Sequence, residues 1–334
     1  MRKIAVFICL LLVTSGTSLS AQDSTLYSLQ EKISVPGNGG YDYLSIDAKN
    51  HHLFVSHGTA VNVIDLHTNQ VIGTIDDMQE VHGIAVVKDV NKGFITDGKA
   101  NAVVAFDLQT FKKLKTIPVS GKGPDAITYD PFSKKVFAFC GDSNNSCVID
   151  INSLTETNTI ELGGAPEFGV PDGNGLLYNN LEDKSSLDVI DTKTMKVIHT
   201  YPLSPCGGPT GLAIDKTHKR VFTVCRENKG MSVVDMNSGK VTATIPIGAG
   251  VDAVAYDAAT KLLVVSNADG TATIIRQKGA DDYEVVQTLA TTYRAKTMAL
   301  DAATHTIYLS APQFVTGTRN IVPGTFSVYV YKMK

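Results

Sequence analysis

The stretch from Gly211 to Ile247 constrains the fold more than any other part of the chain. It contains four short runs rich in β-branched and apolar residues, separated by Asp, Lys, Asn and Gly: Gly211–Asp215, Val221–Cys225, Ser232–Asp235 and Val241–Ile247. Runs of this length and composition are typical of β-strands, and the gaps have the composition of turns. The same pattern recurs along nearly the whole chain, which predicts a series of small four-stranded sheets.

The spacing of the repeats indicates how these sheets assemble. The second runs begin at Leu53, Gly93, Val136, Leu177, Val221, Leu263 and Ile307, at intervals of 40 to 44 residues. A period near 40 with four strands per unit is typical of a β-propeller. The last repeat has only three runs, and Ser28–Pro36 matches the missing outer run. We therefore predict an all-β, seven-bladed propeller, closed by the N-terminal strand pairing with the C-terminal blade, in one domain over residues 22–334.

Residues 1–21 have the pattern of a secretory signal peptide. Arg2 and Lys3 precede the apolar run Ile4–Val13, and small residues lead to a cleavage point after Ala21. The alternative is an uncleaved anchor, although the run is shorter than the ~20 residues that span a bilayer. We expect a periplasmic or secreted protein with no transmembrane segment after signal removal, and we expect a monomer. The net charge of −3 gives no basic footprint for nucleic acid.

Four cysteines remain after the signal, and an even number in an exported protein permits two disulfides. Cys140 and Cys147 flank one turn, whereas Cys206 lies in a crossing between blades and Cys225 lies at the next turn of the same blade. Both pairings are hypotheses. Free or buried thiols, or a metal-bound pair, are the alternatives.

Aspartates recur at two fixed places in the repeats. They precede the second strands and end the third strands, at Asp47, Asp130, Asp215, Asp257 and Asp301 and at Asp65, Asp107, Asp150, Asp191 and Asp235. Aspartate side chains bind backbone N–H groups in turns. Their repetition therefore favours a structural role over a catalytic one.

The repeats resemble those of the YVTN-repeat, or YncE-like, β-propellers. Leu263–Asn267 matches the strand that names the family, and supporting matches are Val189–Asp191, Val233–Asp235, Thr116–Val119, Thr244–Gly248 and Gly123–Ala126. The resemblance covers about residues 28–334 and implies an exported, WD40-like propeller fold. It implies no single reaction, since members share blades rather than one chemistry. Cys140, His57 and Cys225 stand where Asn267 stands in the best match.

Polar residues converge at one end of the predicted central channel. Aligning the crossings between blades places one residue per blade at this mouth: Asp42, His82, Asp125, Glu167, Thr210, Asp252 and Lys296. The adjacent turns add His57, Asp97, Arg226 and Asn267. Carboxylates this close raise one another's pKa or recruit a cation. A water-filled channel lined by turn-forming residues is the alternative.

Two functions follow from this mouth. The first is a binding or scaffold protein that takes a small polar ligand, a divalent metal ion, or a protein or peptide partner. His57, His82, Asp97 and Asp125 offer mixed nitrogen and oxygen ligands for the metal. The second is a metal-assisted hydrolase of the lactonase type, with candidate groups Asp125, Glu167, Asp252, Asn267 and His82. The sequence assigns no catalytic residue, so enzymatic activity remains open.

Overall fold

A computed structural model describes residues 25–334, and the predicted signal peptide lies outside them. The described residues form 28 strands and three 3-10 turns. The strands are β1 (Tyr27–Ser34), β2 (Tyr41–Asp47), β3 (His52–His57), β4 (Ala60–Asp65), β5 (Gln70–Ile75), β6 (Val81–Val87), β7 (Lys92–Asp97), β8 (Ala102–Asp107), β9 (Lys113–Pro118), β10 (Pro124–Asp130), β11 (Lys135–Cys140), β12 (Asn145–Asp150), β13 (Thr155–Glu161), β14 (Pro166–Pro171), β15 (Leu176–Leu181), β16 (Ser186–Asp191), β17 (Lys196–Pro202), β18 (Pro209–Asp215), β19 (Arg220–Cys225), β20 (Gly230–Asp235), β21 (Val241–Pro246), β22 (Val251–Asp257), β23 (Leu262–Asn267), β24 (Thr271–Gln277), β25 (Tyr283–Ala290), β26 (Met298–Asp301), β27 (Thr306–Ala311) and β28 (Ser327–Met333). The 3-10 turns are Lys88–Val90, Gly141–Ser143 and Glu182–Lys184.

The strands form seven antiparallel four-stranded sheets, which we call blades 1 to 7. Blade 1 is β2–β5, and the next five blades follow in chain order up to β22–β25. Blade 7 has the order β1-β28-β27-β26. The innermost strand of each blade contacts that of the next, and β26 contacts β2, so the blades close into a ring. The predicted seven-bladed propeller and its closure are confirmed.

The core lies between neighbouring blades because the middle strands are buried on both faces. In blade 5, every residue of β19 after the first is buried, whereas the outer strand β21 alternates between buried or half-buried and exposed residues. This is why the second and third runs of each repeat are mostly apolar, with a few buried polar side chains among them. Seven apolar clusters separate the blades, and the cluster between blades 7 and 1 packs Val328 and Tyr308 against Leu53.

Closure joins the two ends of the described chain. Strand β1 pairs antiparallel with β28, with Tyr27 opposite Met333 and Ser34 opposite Ser327. The Gln287 side chain of blade 6 accepts hydrogen bonds from the backbone N–H groups of Leu26 and Tyr27 at 3.0 and 2.9 Å. The closing strand is therefore held by its own sheet and by the neighbouring blade, which protects the edge of β28.

The repeated aspartates have the structural role that the sequence predicts. Asp215, for example, accepts backbone N–H bonds from Thr217 and His218 at 2.9 and 3.2 Å, and Asp235 does the same with Asn237 and Ser238. Backbone hydrogen bonds of this kind hold a carboxylate ionised and close the turn. These residues are therefore committed to turns.

One of the two proposed cysteine pairings is formed. Cys206 and Cys225 are joined by a disulfide within blade 5. Cys140 and Cys147 are buried thiols with their sulfurs 3.8 Å apart. The strand register explains the difference, since Cys140 lies opposite Asn145 and Cys147 lies opposite Ala138, so the two cysteines are diagonal neighbours. Diagonal neighbours lie roughly 7–8 Å apart at Cα, beyond the usual span of a disulfide.

Candidate functional site

The mouth of the channel is built from one repeated position. Asp42, His82, Asp125, Glu167, Thr210 and Asp252 are each the second residue of an innermost strand, and Lys296 lies two residues before β26. The pairing register of each of these six innermost strands with its neighbour shifts at this position. Such bulges redirect side chains and recur next to functional sites. The six equivalent residues therefore reach the same end of the channel.

Hydroxyl groups of the second strands support these bulges. Ser56 accepts the backbone N–H of Asp42 at 3.1 Å, and Thr96 accepts that of Gly83 at 2.8 Å. The Thr96 hydroxyl also lies 2.5 Å from the backbone oxygen of Asp125 in the next blade. The backbone under the mouth is thus fixed within blades and between them, which holds the mouth side chains in place.

Asp42, His82 and Asp125 form the first part of the mouth cluster. Nδ1 of His82 lies 2.9 Å from Oδ2 of Asp42 and 3.6 Å from Oδ1 of Asp125. One ligand atom from each residue lies within 4.8 Å of the other two. Oδ1 of Asp125 is buried and accepts no hydrogen bond from the described residues. A buried acceptor of this kind is costly unless something satisfies it.

Lys296 and Arg226 link the remaining carboxylates. Nζ of Lys296 lies 2.5 Å from Oδ2 of Asp252 and 3.8 Å from Oδ1 of Asp42. The Arg226 guanidinium lies 2.5 Å from Asp252, 2.5 Å from Glu182 and 3.4 Å from Glu167. The mouth therefore gathers five carboxylates around two permanent cations and one histidine.

The excess of carboxylates shifts their protonation. Burial raises the pKa of Asp125 to about 7, with the charge of Asp42 adding to it and those of His82 and Lys296 opposing it. Burial also raises the pKa of Glu167 well above its usual range, and Asp125 and Asp252 add to the effect. Negative charge is thus disfavoured at the mouth unless a further cation arrives.

His82 and Lys296 show the complementary effect. Burial acts to lower the pKa of His82, but its hydrogen bond to Asp42 and the charge of Asp125 outweigh burial and raise it. Burial likewise opposes the charge on Lys296, yet Asp252 and Asp42 raise its pKa above the ordinary lysine value. Both groups hold a proton more firmly because the surrounding field is negative.

Two cavities are lined in part by mouth residues. One, of about 620 Å³, opens over blades 2 to 4 and is lined by Glu80, Asp125, Asp142, Glu167 and Glu182, with Lys99 and Lys122 at its side. The other, of about 370 Å³, lies along the channel and is mostly apolar. Tyr43 and Phe168, from blades 1 and 4, stack in the channel with ring centroids 5.7 Å apart. The first cavity is the polar one and the natural place for a small ligand.

Four of the predicted residues lie outside the cluster. His57 is buried against Phe326, with its Nδ1 3.2 Å from the backbone oxygen of Pro36, and burial lowers its pKa. Asp97 is buried and accepts the backbone N–H groups of Gln79 and Glu80. The predicted metal set of His57, His82, Asp97 and Asp125 is thus not assembled. Asp42 stands with His82 and Asp125 instead.

Asn267 and Thr210 are fully buried as well. Asn267 donates to the hydroxyls of Thr271 and Thr273 at 3.1 Å, and Gly248 of the crossing packs directly on its side chain. Thr210 lies with its hydroxyl 3.5 Å from the backbone oxygens of Val224 and Val251. The crossing covers Asn267 at the end of its second strand, and Thr210 turns its hydroxyl to backbone oxygens of blades 5 and 6. Neither side chain therefore joins the cluster at the mouth.

Glu182 belongs to the mouth cluster, although it is not among the residues predicted from the sequence. It is the first residue after β15, and Arg226 is the first residue after β19. The signal was present in the sequence, because applying the position of Arg226 to blade 4 selects Glu182. The turn residues that reach the mouth are thus those just past the second strand, rather than its last residue.

The fold and the cluster define an all-β, seven-bladed propeller with an acidic channel mouth. No family model matches the chain. The chain is 21% identical over 224 residues to Antigen Lp49 of Leptospira interrogans serogroup Icterohaemorrhagiae serovar copenhageni (strain Fiocruz L1-130), a match covering 62% of this chain and 48% of that protein. The matched region thus spans about half the length of that relative.

Solved structures share the architecture at low sequence identity. Kuenenia stuttgartiensis hydrazine synthase matches with a TM-score of 0.72 and 17% identity, covering 95% of this chain and 98% of that one. The WD40 repeats of RRP9 match with a TM-score of 0.77 and 8% identity, covering 93% of this chain and 98% of that one. These likenesses support a WD40-like propeller fold. The YVTN-repeat family remains a prediction.

Among residues 25–334, no helix combines the length and the hydropathy needed to cross a membrane.

Proposed function

We propose that this chain is an exported binding propeller that holds a divalent metal ion at its channel mouth and presents it to a small polar ligand in the 620 Å³ cavity. One observation carries the proposal: ligand atoms of Asp42, His82 and Asp125 lie within 4.8 Å of one another, and the buried Oδ1 of Asp125 accepts no hydrogen bond from the described residues. A propeller fold by itself is typical of binding and scaffold proteins.

The spacing of these atoms fits a small metal ion. Zinc bound tetrahedrally at about 2.0–2.1 Å places its ligand atoms about 3.3 Å apart. The separations of His82 Nδ1 from its two carboxylate partners, 2.9 and 3.6 Å, lie on either side of that value. Two of the three ligand separations therefore suit a tetrahedral ion, and the two carboxylates offer oxygens within 4.8 Å of each other. Mixed imidazole and carboxylate ligands suit zinc and manganese.

Electrostatics supports a cation at the same point. Asp42 and Asp125 repel each other, and burial together with the charge of Asp42 raises the pKa of Asp125 to about 7. A divalent ion between them would replace this repulsion with attraction and displace the proton from Asp125. Lys296, 3.8 Å from Asp42, opposes the ion, but its stronger contact is with Asp252.

Calorimetric titration of the purified protein with Zn²⁺, Mn²⁺ and Mg²⁺ tests the proposal. We expect one site for Zn²⁺ or Mn²⁺, weakened at least roughly 10- to 100-fold by Asp125→Asn or His82→Ala, since losing even an outer partner of a metal ligand costs that much. Asp142→Asn is the matched control, because Asp142 lines the same cavity outside the ligand set. Absence of binding by the wild-type protein, or equal binding by Asp125→Asn, would refute the proposed site.

A metal-assisted hydrolase of the lactonase type is the second candidate. Three protein ligands would leave a fourth position open to water or substrate, as in hydrolytic zinc sites. Glu167 has a raised pKa, as a proton-transferring group requires, and it lines the same cavity. Turnover of a panel of lactones by metal-loaded protein, abolished by chelator and by Glu167→Gln, would establish this activity. Its absence would leave the binding function.

A further inference from the structure

The two thiols of blade 3 occupy a position that carries the disulfide in blade 5. Cys140 is the last residue of β11, and Cys225 is the last residue of β19. Cys206, the partner of Cys225, lies three residues before β18. The corresponding residue before β10 is Gly121, and a Cβ placed there would meet the Cys140 sulfur at 2.5 Å. Cys140 therefore faces Gly121, which stands where Cys206 stands in blade 5 and offers no side chain for a bridge.

Cys147 supplies the second sulfur from another direction. It lies on β12, and its sulfur is 3.8 Å from that of Cys140. The backbone N–H of Gly121 points at the Cys147 sulfur at 3.2 Å, and the Cys140 thiol donates to it as well. Two donors on one sulfur favour its thiolate form.

The two thiols are therefore unequal. The hydrogen bond from Cys140 lowers the pKa of Cys147, burial opposes this, and the Gly121 N–H adds to the lowering. The hydrogen bond to Cys147 raises the pKa of Cys140, together with burial. Cys147 is thus the thiol of the pair that attacks first, and Cys140 is the thiol that resolves the mixed disulfide.

Cys140 and Cys147 are fully buried, and Gly121 above them is buried as well, whereas Ser120 and Lys122 on either side of it are exposed. An external disulfide therefore reaches the sulfurs only when this short crossing opens. Beneath it, Cys140 is followed directly by the 3-10 turn Gly141–Ser143. Gly141 and Asp142 line the 620 Å³ cavity at the mouth. The thiol pair thus lies between the segment that contains Gly121 and the wall of that cavity.

We propose that Cys140 and Cys147 form a reversible redox pair, which closes to a disulfide by exchange with an external disulfide. The Cys147 thiolate attacks one sulfur of R–S–S–R, forming a mixed disulfide and releasing one thiolate. Cys140 loses its proton and attacks the Cys147 sulfur, which releases the second thiolate. The pair loses two electrons and two protons, and the external disulfide is reduced to two thiols.

Closing this bridge requires backbone movement, which distinguishes it from Cys206–Cys225. Diagonal neighbours on paired strands lie roughly 7–8 Å apart at Cα, and a disulfide needs less than about 7 Å. The connection from β11 to β12 must therefore shift, and it carries Gly141 and Asp142 with it. Strained bridges are the readily reduced ones, so this pair responds to redox conditions that leave a structural bridge intact.

Equilibration of the native protein in glutathione buffers of graded ratio, followed by alkylation and peptide mass spectrometry, tests the proposal. We expect a loss of about 2 Da and a Cys140–Cys147 crosslink in oxidising buffer, reversed by excess reduced glutathione while Cys206–Cys225 stays closed. Two alkylatable thiols at every ratio would overturn the proposal, as would glutathione adducts without a crosslink.

Single variants test the order of attack and remain informative if one of them fails to fold. Cys140→Ser should trap glutathione on Cys147, because no second thiol can release it. Cys147→Ser should react at Cys140 roughly tenfold more slowly, since the activated sulfur is gone. Equal rates in the two variants would refute the assignment of Cys147 as nucleophile.

Discussion

Replacing Asp125 with Asn should stabilise the protein at alkaline pH and leave it unchanged at acidic pH. The raised pKa, about 7, means that folded Asp125 keeps its proton where an unfolded Asp, with a pKa near 3.9, has lost it. The contribution of Asp125 to stability is therefore highest below pH 4 and falls as pH rises from about 4 to about 7. The amide of the variant cannot ionise at this position, so this loss disappears.

The structure also sets the size of the effect. The interval from about 3.9 to about 7, at 1.36 kcal/mol per pKa unit, gives an upper bound of about 4 kcal/mol. The Asp125 side chain is 36% exposed at the channel mouth, so solvent screening reduces this. We expect Asp125→Asn to gain about 1–2 kcal/mol over the wild type at pH 8.

Urea unfolding at pH 4, 6 and 8 with chelator present is the assay. The difference between Asp125→Asn and the wild type should be near zero at pH 4 and grow with pH. Asp282→Asn is the control, because it removes the same charge from an exposed loop outside the mouth. A difference that is independent of pH, or a variant less stable than the wild type at pH 8, would show that Asp125 does not carry a destabilising charge.

Three further tests address the charges, the packing and the disulfide of the blades. Arg226→Ala leaves three carboxylates without their shared guanidinium and should cost about 1–3 kcal/mol at pH 8, which urea unfolding beside the wild type measures. Gly93→Ala puts a Cβ 2.1 Å from the Phe106 ring and should cost about 1–3 kcal/mol, whereas Gly40→Ala, with open space around it, should be nearly neutral in the same assay. Removing the Cys206–Cys225 bridge by double substitution to Ser should cost about 2–4 kcal/mol, and a denaturation midpoint that does not move would contradict this.

The mouth could be predicted in part because propeller geometry makes equivalent positions converge. Asp42, His82, Asp125, Glu167, Asp252 and Lys296 were selected by aligning crossings, and the structure brings all six to one end of the channel. Arg226 was selected from its turn and does reach them. Ligand binding by these residues remains a prediction, since aligned positions show only that the side chains lie close together.

Other residues could not be placed because burial depends on contacts between distant segments. His57, Asp97 and Asn267 end second strands, and the crossing of the preceding segment covers each of them. The spacing of apolar runs predicts where each strand ends, but it does not predict which segment packs over that end. The sequence therefore predicted these three side chains at the channel mouth, although they are buried in the structure.

The sequence by itself determined the number of blades, the order of strands and the closure through β1, because a 40- to 44-residue period of apolar runs has one economical way to bury every blade face. Only the tertiary structure decided which carboxylates share a cation, which cysteines bridge and which polar side chains stay buried. Those outcomes depend on distances of a few ångströms between residues far apart in the chain. Electrostatic energy and disulfide geometry both change steeply over such distances.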